Sequence, residues 1–520
     1  MKYHRLAPLL VVALLAAGCS QPPPPTTESV APVVQENVSI EVPSLVPDRL
    51  VIGVTQELEP LDPGIAVNAA TAEVLGNLFH GLVSATPEGR IFPELCERYE
   101  ISEDGLVYTF YLRKDAKFHN GALVQAEDVA YTFRRMMGQT EDQTEPLREE
   151  LAKIIREITV PDQTTVQFAL HKPDAAFLSL CMAGILPQNG GATVASKPVG
   201  AGPYRFVSYT PGEGITLKRF EEYYGKKPAF PSVEFRFFHS TAAAQLAMQR
   251  EEVHILKLDA GVFTYDESKY RLVKQPQNMV QMLAFRHDRE PFSKLEVRQA
   301  LNHAIDKQSI IDALSPGSPR IDTHFSPALS FYYNHQLEDY YPYDPQKAKD
   351  LLAEAGYADL SFTVKVPNDY PLYVETAQMI QQELAQIGVT MELETVDWNT
   401  WLTDVYSLNN YQATIVGLAG EPDPGSVMIR PTSEYNRNFF RYQNPEYDRL
   451  VAEAAEERDQ YRRAWLYREA QKIATQDALV VPIMDPGLNL LLDKRLEGFQ
   501  LYSAGYMDLR TLSWSSPDMP

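Results

Sequence analysis

The sequence predicts a mixed α/β protein, α+β in parts, that is built from more than one lobe. Strand-like and helix-like segments alternate from Leu50 onward, which is typical of mixed sheets covered by helices. The chain has 520 residues, and a single hydrophobic core usually stops growing at roughly 250–300 residues. Its composition, 44% hydrophobic and 22% charged, is that of a globular protein and excludes wholesale disorder. We therefore expect two or three folded lobes.

The predicted elements rest on two kinds of pattern. Apolar runs and apolar–polar alternation predict strands, and apolar residues three or four positions apart predict helices. Asp344 and Pro345 begin one helix as a cap followed by proline, and Gly356 ends it. The predicted strands are 50–54, 106–113, 362–366, 389–396 and 412–418, and the predicted helices lie near 69–79, 127–136, 344–356, 377–388 and 446–476.

The N-terminus predicts an export signal over residues 1–18. Lys2 and Arg5 precede a short apolar run that falls well below the ~20 residues needed to span a bilayer. The run ends in Leu-Leu-Ala-Ala-Gly-Cys-Ser, which resembles the bacterial lipobox. That resemblance implies that Cys19 carries lipid and becomes the first residue of the mature chain. A soluble protein that is secreted after cleavage near the same place is the alternative.

Residues 19–47 are rich in proline and predict a tether. Proline-rich chain adopts an extended polyproline conformation and builds no core. No later stretch of the sequence is long and apolar enough to suggest a membrane span. We expect a body outside the cytoplasm, in the periplasm or on the outer cell surface, that contacts the membrane through its lipid anchor only.

Charge and motifs exclude several classes of function. The net charge of −22 argues against nucleic-acid binding, which depends on Lys and Arg neutralising phosphates. The sequence has no glycine-rich phosphate loop, no HExxH, no CxxC pair and no G-x-S-x-G elbow, and its ten histidines are scattered. We therefore expect no enzyme, no cofactor and no metal. Cys96 and Cys181 predict either one disulfide or two buried free thiols.

Several segments resemble the extracellular solute-binding proteins of peptide-type ABC importers, the dipeptide- and oligopeptide-binding family. The resemblance is strongest in the stretch from Glu103 through Arg113, in Lys117-Phe-His-Asn-Gly and in Ala126-Glu-Asp-Val. Further segments follow in the family's order between about residues 48 and 500. They are Val199-Gly-Ala-Gly-Pro-Tyr, the stretch from Pro291 to Asp306, Asp344-Pro and Asn444-Pro-Glu-Tyr-Asp.

The resemblance implies two lobes around a cleft, a hinge between them and an extra inserted domain. Carried onto this chain, the first lobe comprises 48–88, 200–290 and 490–520, the inserted domain 89–199, and the second lobe 291–489. It also implies a monomer that closes over a solute and delivers it to the transmembrane subunits of an ABC permease, whose cytoplasmic ATPase supplies the energy. No reaction is expected in this chain.

The resemblance also implies candidate binding residues. In peptide-binding relatives an aspartate shortly after a Gly-Trp pair receives the ligand's ammonium group. Anchored on Gly417, that position falls on Glu421, whereas counting back from Pro424 places it on Gly420, which carries no carboxylate. Leu418 stands where the family has tryptophan. The remaining candidates are Ala419 and Asp423 from the same stretch, Trp398 as a cleft-lining or helix-start residue, and Glu57 and Leu58 after the first strand.

The identity of the solute stays open. Oligopeptides are the first hypothesis, but Val374-Glu375 stands where dipeptide binders carry an arginine for the ligand's carboxylate. The alternative within the same fold is a non-peptide solute such as an oligosaccharide, a metal chelate, haem or glutathione. Two other classes are a hydrolase acting in a similar cleft and a structural or adhesive surface lipoprotein.

Overall fold

The computed structural model describes residues 48–65, 69–258, 264–500, 502 and 506–515. The predicted signal and tether, with Cys19, lie outside these residues. Within the described ranges, no helix is both long and apolar enough to cross a bilayer.

The strands of the described chain are β1 (Arg49–Val54), β2 (Val83–Ala85), β3 (Ile91–Pro93), β4 (Cys96–Ile101), β5 (Val107–Leu112), β6 (Ile155–Asp162), β7 (Thr165–Leu170), β8 (Tyr204–Thr210), β9 (Gly214–Arg219), β10 (Ser232–Phe237), β11 (Ile255–Leu258), β12 (Tyr270–Gln275), β13 (Met279–Phe285), β14 (Ser361–Pro367), β15 (Thr390–Val396), β16 (Ala413–Ala419), β17 (Val480–Met484), β18 (Leu488–Asp493), β19 (Leu496–Glu497) and β20 (Ser513–Trp514).

The α-helices are α1 (Ala69–Leu78), α2 (Ala126–Met136), α3 (Glu149–Ile154), α4 (Phe177–Leu180), α5 (Gly191–Val194), α6 (Thr241–Gln249), α7 (Leu295–Ala304), α8 (Lys307–Leu314), α9 (Pro345–Glu354), α10 (Pro371–Gln386), α11 (Trp398–Trp401), α12 (Gly425–Met428), α13 (Pro445–Glu456) and α14 (Gln460–Gln476). A π-helical turn, Leu402–Ser407, continues α11.

A seven-stranded mixed sheet has the order β12-β18-β11-β1-β10-β9-β8. Its central strand β1 runs parallel to β10 and β11, whereas the outer pairs are antiparallel. Leu50 and Ile52 face one core cluster, and Val51 faces another. Because both faces of β1 are covered, its sequence is a continuous apolar run and not an alternation.

A five-stranded sheet has the order β15-β14-β16-β13-β17. β14 is parallel to β15 and β16, and β13 is antiparallel to β16 and β17. β13 falls within the predicted first-lobe segment 200–290, but it forms its ladder with β16 and β17 of this sheet. The chain therefore crosses between the two large sheets at 276–278, ahead of β13.

An antiparallel four-stranded sheet, β4-β5-β7-β6, lies in the chain between β1 and β8. It has its own core, in which α2 packs Val129 and Phe133 against Phe168 of β7. Asp128, in the first turn of α2, accepts a hydrogen bond from the Gln125 backbone N–H at 2.8 Å. The helix begins there because this carboxylate pairs an N–H group at the helix start that would otherwise lack a partner.

The long helical region predicted over 446–476 is helical in the structure and consists of two helices, α13 and α14. Glu457 leaves the helical conformation with φ −74° and ψ 124°. Asp459 then caps α14 by accepting a hydrogen bond from the Arg462 N–H at 2.8 Å. An aspartate at an N-cap favours a helix start over continuation of the preceding helix.

The two cysteines of the body are buried, unpaired thiols in the core of the four-stranded sheet. Burial raises the pKa of the Cys96 thiol to about 12, and it also raises the pKa of Cys181. The nucleophilic thiolate is therefore scarce at neutral pH, and access is blocked. We expect a full-length Cys19→Ser variant to react with less than one equivalent of a disulfide reagent when folded and with about two in guanidinium chloride. Full reaction in the folded state would contradict this burial.

Candidate functional site

The candidate stretch begins where β16 emerges from the five-stranded sheet. Its first four residues are buried, Gly417 and Leu418 are half-buried, and Ala419 and Glu421 are exposed. On one side, β13 pairs with β16 along its whole length, from Phe285–Ala413 to Met279–Ala419. On the other side, β14 pairs only with Ala413 and Thr414. The last residues of β16 therefore have a strand neighbour on one side only.

The loop that follows β16 is held by its backbone. The Gly420 N–H donates to the Asn278 carbonyl oxygen at 2.7 Å, and Asn278 Nδ2 donates to the Glu421 carbonyl oxygen at 3.0 Å. The Glu421 N–H donates to Ser426 Oγ at 3.1 Å. Glu421 thus presents an exposed side chain from a fixed backbone, which is the arrangement that an ammonium-binding carboxylate requires.

A close approach explains the glycine at 417. A Cβ atom there would lie 2.7 Å from Met279 Sδ and even closer to the Tyr373 hydroxyl. Burial raises the pKa of Tyr373 to about 12, so its hydroxyl is neutral and polar beside the strand. Any side chain at 417 would displace Tyr373, and we attribute the glycine to this packing.

Trp398 belongs to an aromatic wall beside β16. Its ring stacks on Trp401 with centroids 5.0 Å apart and an interplanar angle of 4°. The exposed Tyr370 ring contacts it edge-on at 5.3 Å. Trp401 is buried and donates from Nε1 to Thr414 Oγ1 of β16 at 2.9 Å. Trp398 is thus both a helix-start residue, half-buried against the core, and part of an aromatic surface that it forms with Tyr370.

Asp423, another candidate residue, has a carboxylate that is buried in an ion pair. It is 7% exposed, and the guanidinium of Arg463 donates to Oδ2 at 2.7 Å and to Oδ1 at 3.0 Å. The Gly425 N–H also donates to Oδ1, at 2.8 Å. Because these bonds already occupy the carboxylate, Asp423 holds the loop to Arg463 of α14.

Glu57 and Leu58 lie after β1, in the part of the chain built around the seven-stranded sheet. Leu58 packs against the core of that sheet. Tyr209 of β8 donates from its hydroxyl to Glu57 Oε2 at 3.5 Å. The two residues thus follow a strand of the seven-stranded sheet, whereas the Gly417–Asp423 stretch belongs to the end of β16 in the five-stranded sheet.

Three neighbouring residues were missed by the sequence reasoning. Arg430 donates from Nη2 to the Ala419 carbonyl oxygen at 2.7 Å, Asn278 holds the loop, and Tyr370 extends the aromatic wall. Arg430 and Asn278 lie 11 and 143 residues from their partners in the chain. Only Tyr370 carries a local signal, as an aromatic residue directly before the proline that begins α10.

Other features do not compete with this site. A cavity of about 360 Å³ lies beside α6 and β12, lined by Met248, Tyr265 and Tyr270 among others, and the candidate residues are not part of its lining. Among the described residues, no three His, Cys, Asp or Glu side chains are grouped so as to hold a metal ion.

Comparisons with known proteins show which family the chain resembles in sequence. A family model described as bacterial extracellular solute-binding proteins, family 5 Middle, matches residues 90–439. Di/tripeptide-binding protein 1 of Pseudomonas aeruginosa is 28% identical over 461 residues, covering 80% of this chain and 84% of that protein. Heme-binding protein A of Haemophilus influenzae is 29% identical over 493 residues, covering 85% and 87%.

Solved structures show the same fold. HbpA2 from Haemophilus parasuis superimposes with a TM-score of 0.79 at 24% identity, covering 90% of this chain and all of that one. DppA from Helicobacter pylori in complex with the peptide STSA gives 0.63 at 25% identity, covering 90% and 98%. The fold is thus the two-lobed periplasmic-binding-protein type that the resemblance implied. The family model matches more than half of the chain's residues. Members of this family are extracytoplasmic binding components of ABC importers and not enzymes. The chain therefore belongs to family 5 of the bacterial extracellular solute-binding proteins.

Proposed function

We propose that this chain is a lipid-anchored protein that captures oligopeptides in a cleft between two lobes and delivers them to a membrane permease. The observation that carries the proposal is the exposed Glu421 carboxylate on a backbone-bonded loop at the open end of β16. In this assignment the first lobe contains the seven-stranded sheet, the inserted domain contains the four-stranded sheet, and the second lobe runs from β13 to β17.

Closure removes water from the ligand and thereby sets the electrostatic demands on the cleft. Periplasmic binding proteins close around ligands by hinge rotation. A peptide's ammonium group loses its water on closure and is strongly destabilised unless it meets a carboxylate. Glu421 is the carboxylate of the candidate stretch that can serve this role, because Asp423 is already bonded to Arg463.

The strand edge supports an extended ligand. Beyond Thr414, β16 has no pairing with β14, and Arg430 already binds the Ala419 carbonyl oxygen. A peptide would therefore add as a strand along the part of this edge that Arg430 leaves open. Backbone pairing of this kind binds peptides with little regard to their side chains. Trp398 and Tyr370 then offer an apolar wall to one ligand side chain.

A ligand's carboxylate has no evident receptor at the start of α10. Val374 and Glu375 occupy the position where the family resemblance led us to look for an arginine, and Glu375 is exposed. A free dipeptide would bring its carboxylate toward that acid, and like charges repel. We therefore expect oligopeptides, whose carboxylate lies beyond Glu375, to bind more tightly than dipeptides.

Haem is the second candidate solute. The exposed Tyr370 ring and the half-buried Trp398 ring form an aromatic surface, and a flat macrocycle could stack on one of these rings. A relative named for haem binding covers most of this chain, and relatives named for glutathione binding also match it. These names are the reason for testing a non-peptide solute beside peptides.

The proposal is tested by identifying the retained ligand. A full-length Cys19→Ser protein, exported without its lipid, is purified, and its denatured extract is analysed by mass spectrometry. We expect a mixture of peptides. In calorimetry, tetra-alanine should bind at least tenfold more tightly than N-acetyl-tetra-alanine, whose ammonium is blocked. Haem without peptides in the extract would favour the second candidate, and conversion of the peptides to products would exclude a binding protein.

A further inference from the structure

The chain crosses between the two large sheets at two short connections. Residues 276–278 join β12 to β13, and residues 485–487 join β17 to β18. The strands from β13 to β17 all belong to the five-stranded sheet, and β1, β8 to β12 and β18 belong to the other. Any rotation of one sheet against the other must therefore be absorbed at these two connections, which define the hinge.

One carboxylate binds both connections. Asp485, in the second connection, accepts hydrogen bonds from the Gln277 N–H at 3.0 and 3.1 Å and from the Met279 N–H at 3.0 Å. Within its own connection it accepts from the Gly487 N–H at 3.2 Å. Asp485 is 0% exposed, so water does not compete for these bonds. The two connections that form the hinge are thereby tied to the Asp485 side chain.

The residue between the two bound amides reaches the candidate site. Asn278 has φ +51°, a left-handed conformation that asparagine tolerates better than most residues. Its carbonyl oxygen accepts from the Gly420 N–H, and its Nδ2 donates to the Glu421 carbonyl oxygen. Asp485 fixes the backbone on both sides of Asn278, and Asn278 fixes the backbone of Glu421.

Two further observations show that this contact is tight and specific. A Cβ atom on Gly420 would lie 2.7 Å from Asn278 Nδ2, so only glycine allows the approach. Asn278 is 3% exposed, and its Oδ1 finds no donor within the described chain. Burying an amide with one unpaired atom is unfavourable, so the amide is retained for its other bond, the one to Glu421.

We infer that Asn278 and Asp485 are positioning residues that couple the Glu421 loop to the hinge. A change in backbone angles at 276–278 moves Asn278, which is the hydrogen-bond partner of Gly420 and Glu421. Conversely, a ligand bound to Glu421 resists opening of the hinge through the same bonds. The ligand part of this inference rests on the proposed function of Glu421, whereas the coupling is a property of the empty protein as well.

Asn278→Gly tests the link to the ligand. Glycine keeps the positive φ and removes only the amide. We expect tetra-alanine to bind about tenfold more weakly, with binding of N-acetyl-tetra-alanine nearly unchanged, so the preference for a free ammonium shrinks. The matched control is Asn189→Gly, which is exposed, has φ +63° and lies outside the hinge. A preserved preference in Asn278→Gly, or an equal loss in the control, would overturn the inference.

Asp485→Asn tests the hinge without any ligand. In the Cys19→Ser chain, spin labels are placed at Val207→Cys in β8 and at Leu408→Cys after the π-helical turn, both exposed, while the native thiols are buried. We expect the label-to-label distance distribution to widen at least twofold and the Gly420 amide to exchange its hydrogen at least tenfold faster.

The control for Asp485→Asn is Ser326→Ala, which removes the 3.2 Å hydroxyl bond to Asp485 and leaves both connections tied. It should leave the distance distribution and the exchange rate unchanged. An unchanged distribution in folded Asp485→Asn would refute the coupling. If Asp485→Asn does not fold, the hydrogen-exchange rate of the Gly420 amide is measured in Asn278→Gly instead. Faster exchange supports the coupling, and an unchanged rate refutes it. If neither peptide binds the unmutated protein, the proposed ligand fails, and the distance and exchange measurements still judge the hinge.

Discussion

Replacing Arg463 with methionine is expected to lower the free energy of unfolding by about 3–5 kcal/mol, the usual cost of breaking a buried ion pair from one side. Arg463 is 3% exposed and donates two hydrogen bonds to the Asp423 carboxylate. It also donates to the Ala454 carbonyl oxygen at 3.0 Å. Methionine fills a similar volume, so the main loss is the charge left unpaired on Asp423. Chemical denaturation followed by fluorescence and calorimetry measures the change.

Two matched variants separate burial from charge. Arg449 on α13 pairs with Glu446 and Glu453 at the surface, so Arg449→Met should cost less than about 1 kcal/mol. The double variant Asp423→Leu with Arg463→Met removes both buried charges and should recover most of the lost stability. A loss below 1 kcal/mol in Arg463→Met would show that water reaches the pair.

The double variant also tests where Asp423 acts. If Asp423 only supports the loop, a stable Asp423→Leu/Arg463→Met protein keeps most of its affinity for tetra-alanine. Loss of binding at full stability would return Asp423 to the ligand site that the sequence predicted for it.

The elements that the sequence predicts well are those whose ends are determined by neighbouring residues. The Asp344 side chain accepts a hydrogen bond from the Lys347 N–H at 2.9 Å, Pro345 follows it, and the helix ends just before Gly356, as predicted. The predicted family is confirmed by the matching family model. The motifs that predicted it, such as the one around Gly121, are also local. Such contacts lie within a few residues, so a single sequence contains all of the information they need.

The features that sequence reasoning did not reach depend on distant partners. The apolar run Met279–Phe285 could pair in either large sheet, and only its ladder with β16 and β17 decides. Asp423 lies two residues from Glu421, so the sequence grouped them, yet its partner Arg463 is 40 residues away. The two acids differ in their exposure to solvent, because Glu421 is exposed and Asp423 is buried. This difference depends on the folded structure and cannot be read from two neighbouring letters of the sequence. The roles of Glu421 and Trp398 in ligand binding stay predictions.

Neutralising Glu421 is expected to reduce the affinity for tetra-alanine at least thirtyfold. Truncating one partner of a buried, hydrogen-bonded charge pair costs about 2 kcal/mol or more, because the ligand's ammonium is left enclosed without a counter-charge. Glu421→Gln keeps the size and the loop's backbone bonds, so the melting temperature of the empty protein should stay nearly unchanged. Calorimetry with free and N-acetylated tetra-alanine measures the loss, which should be confined to the free peptide.

The control is Glu392→Gln, an exposed glutamate on β15 of the same sheet. It removes the same charge from the five-stranded sheet without touching the candidate loop, so it reports the long-range contribution, which salt screens. Equal affinities for Glu421→Gln and Glu392→Gln would mean that the ammonium binds elsewhere or that the solute carries none. A loss seen only in Glu421→Gln, and persisting at high salt, would place the ligand's charge against this one side chain, because only a buried contact escapes screening.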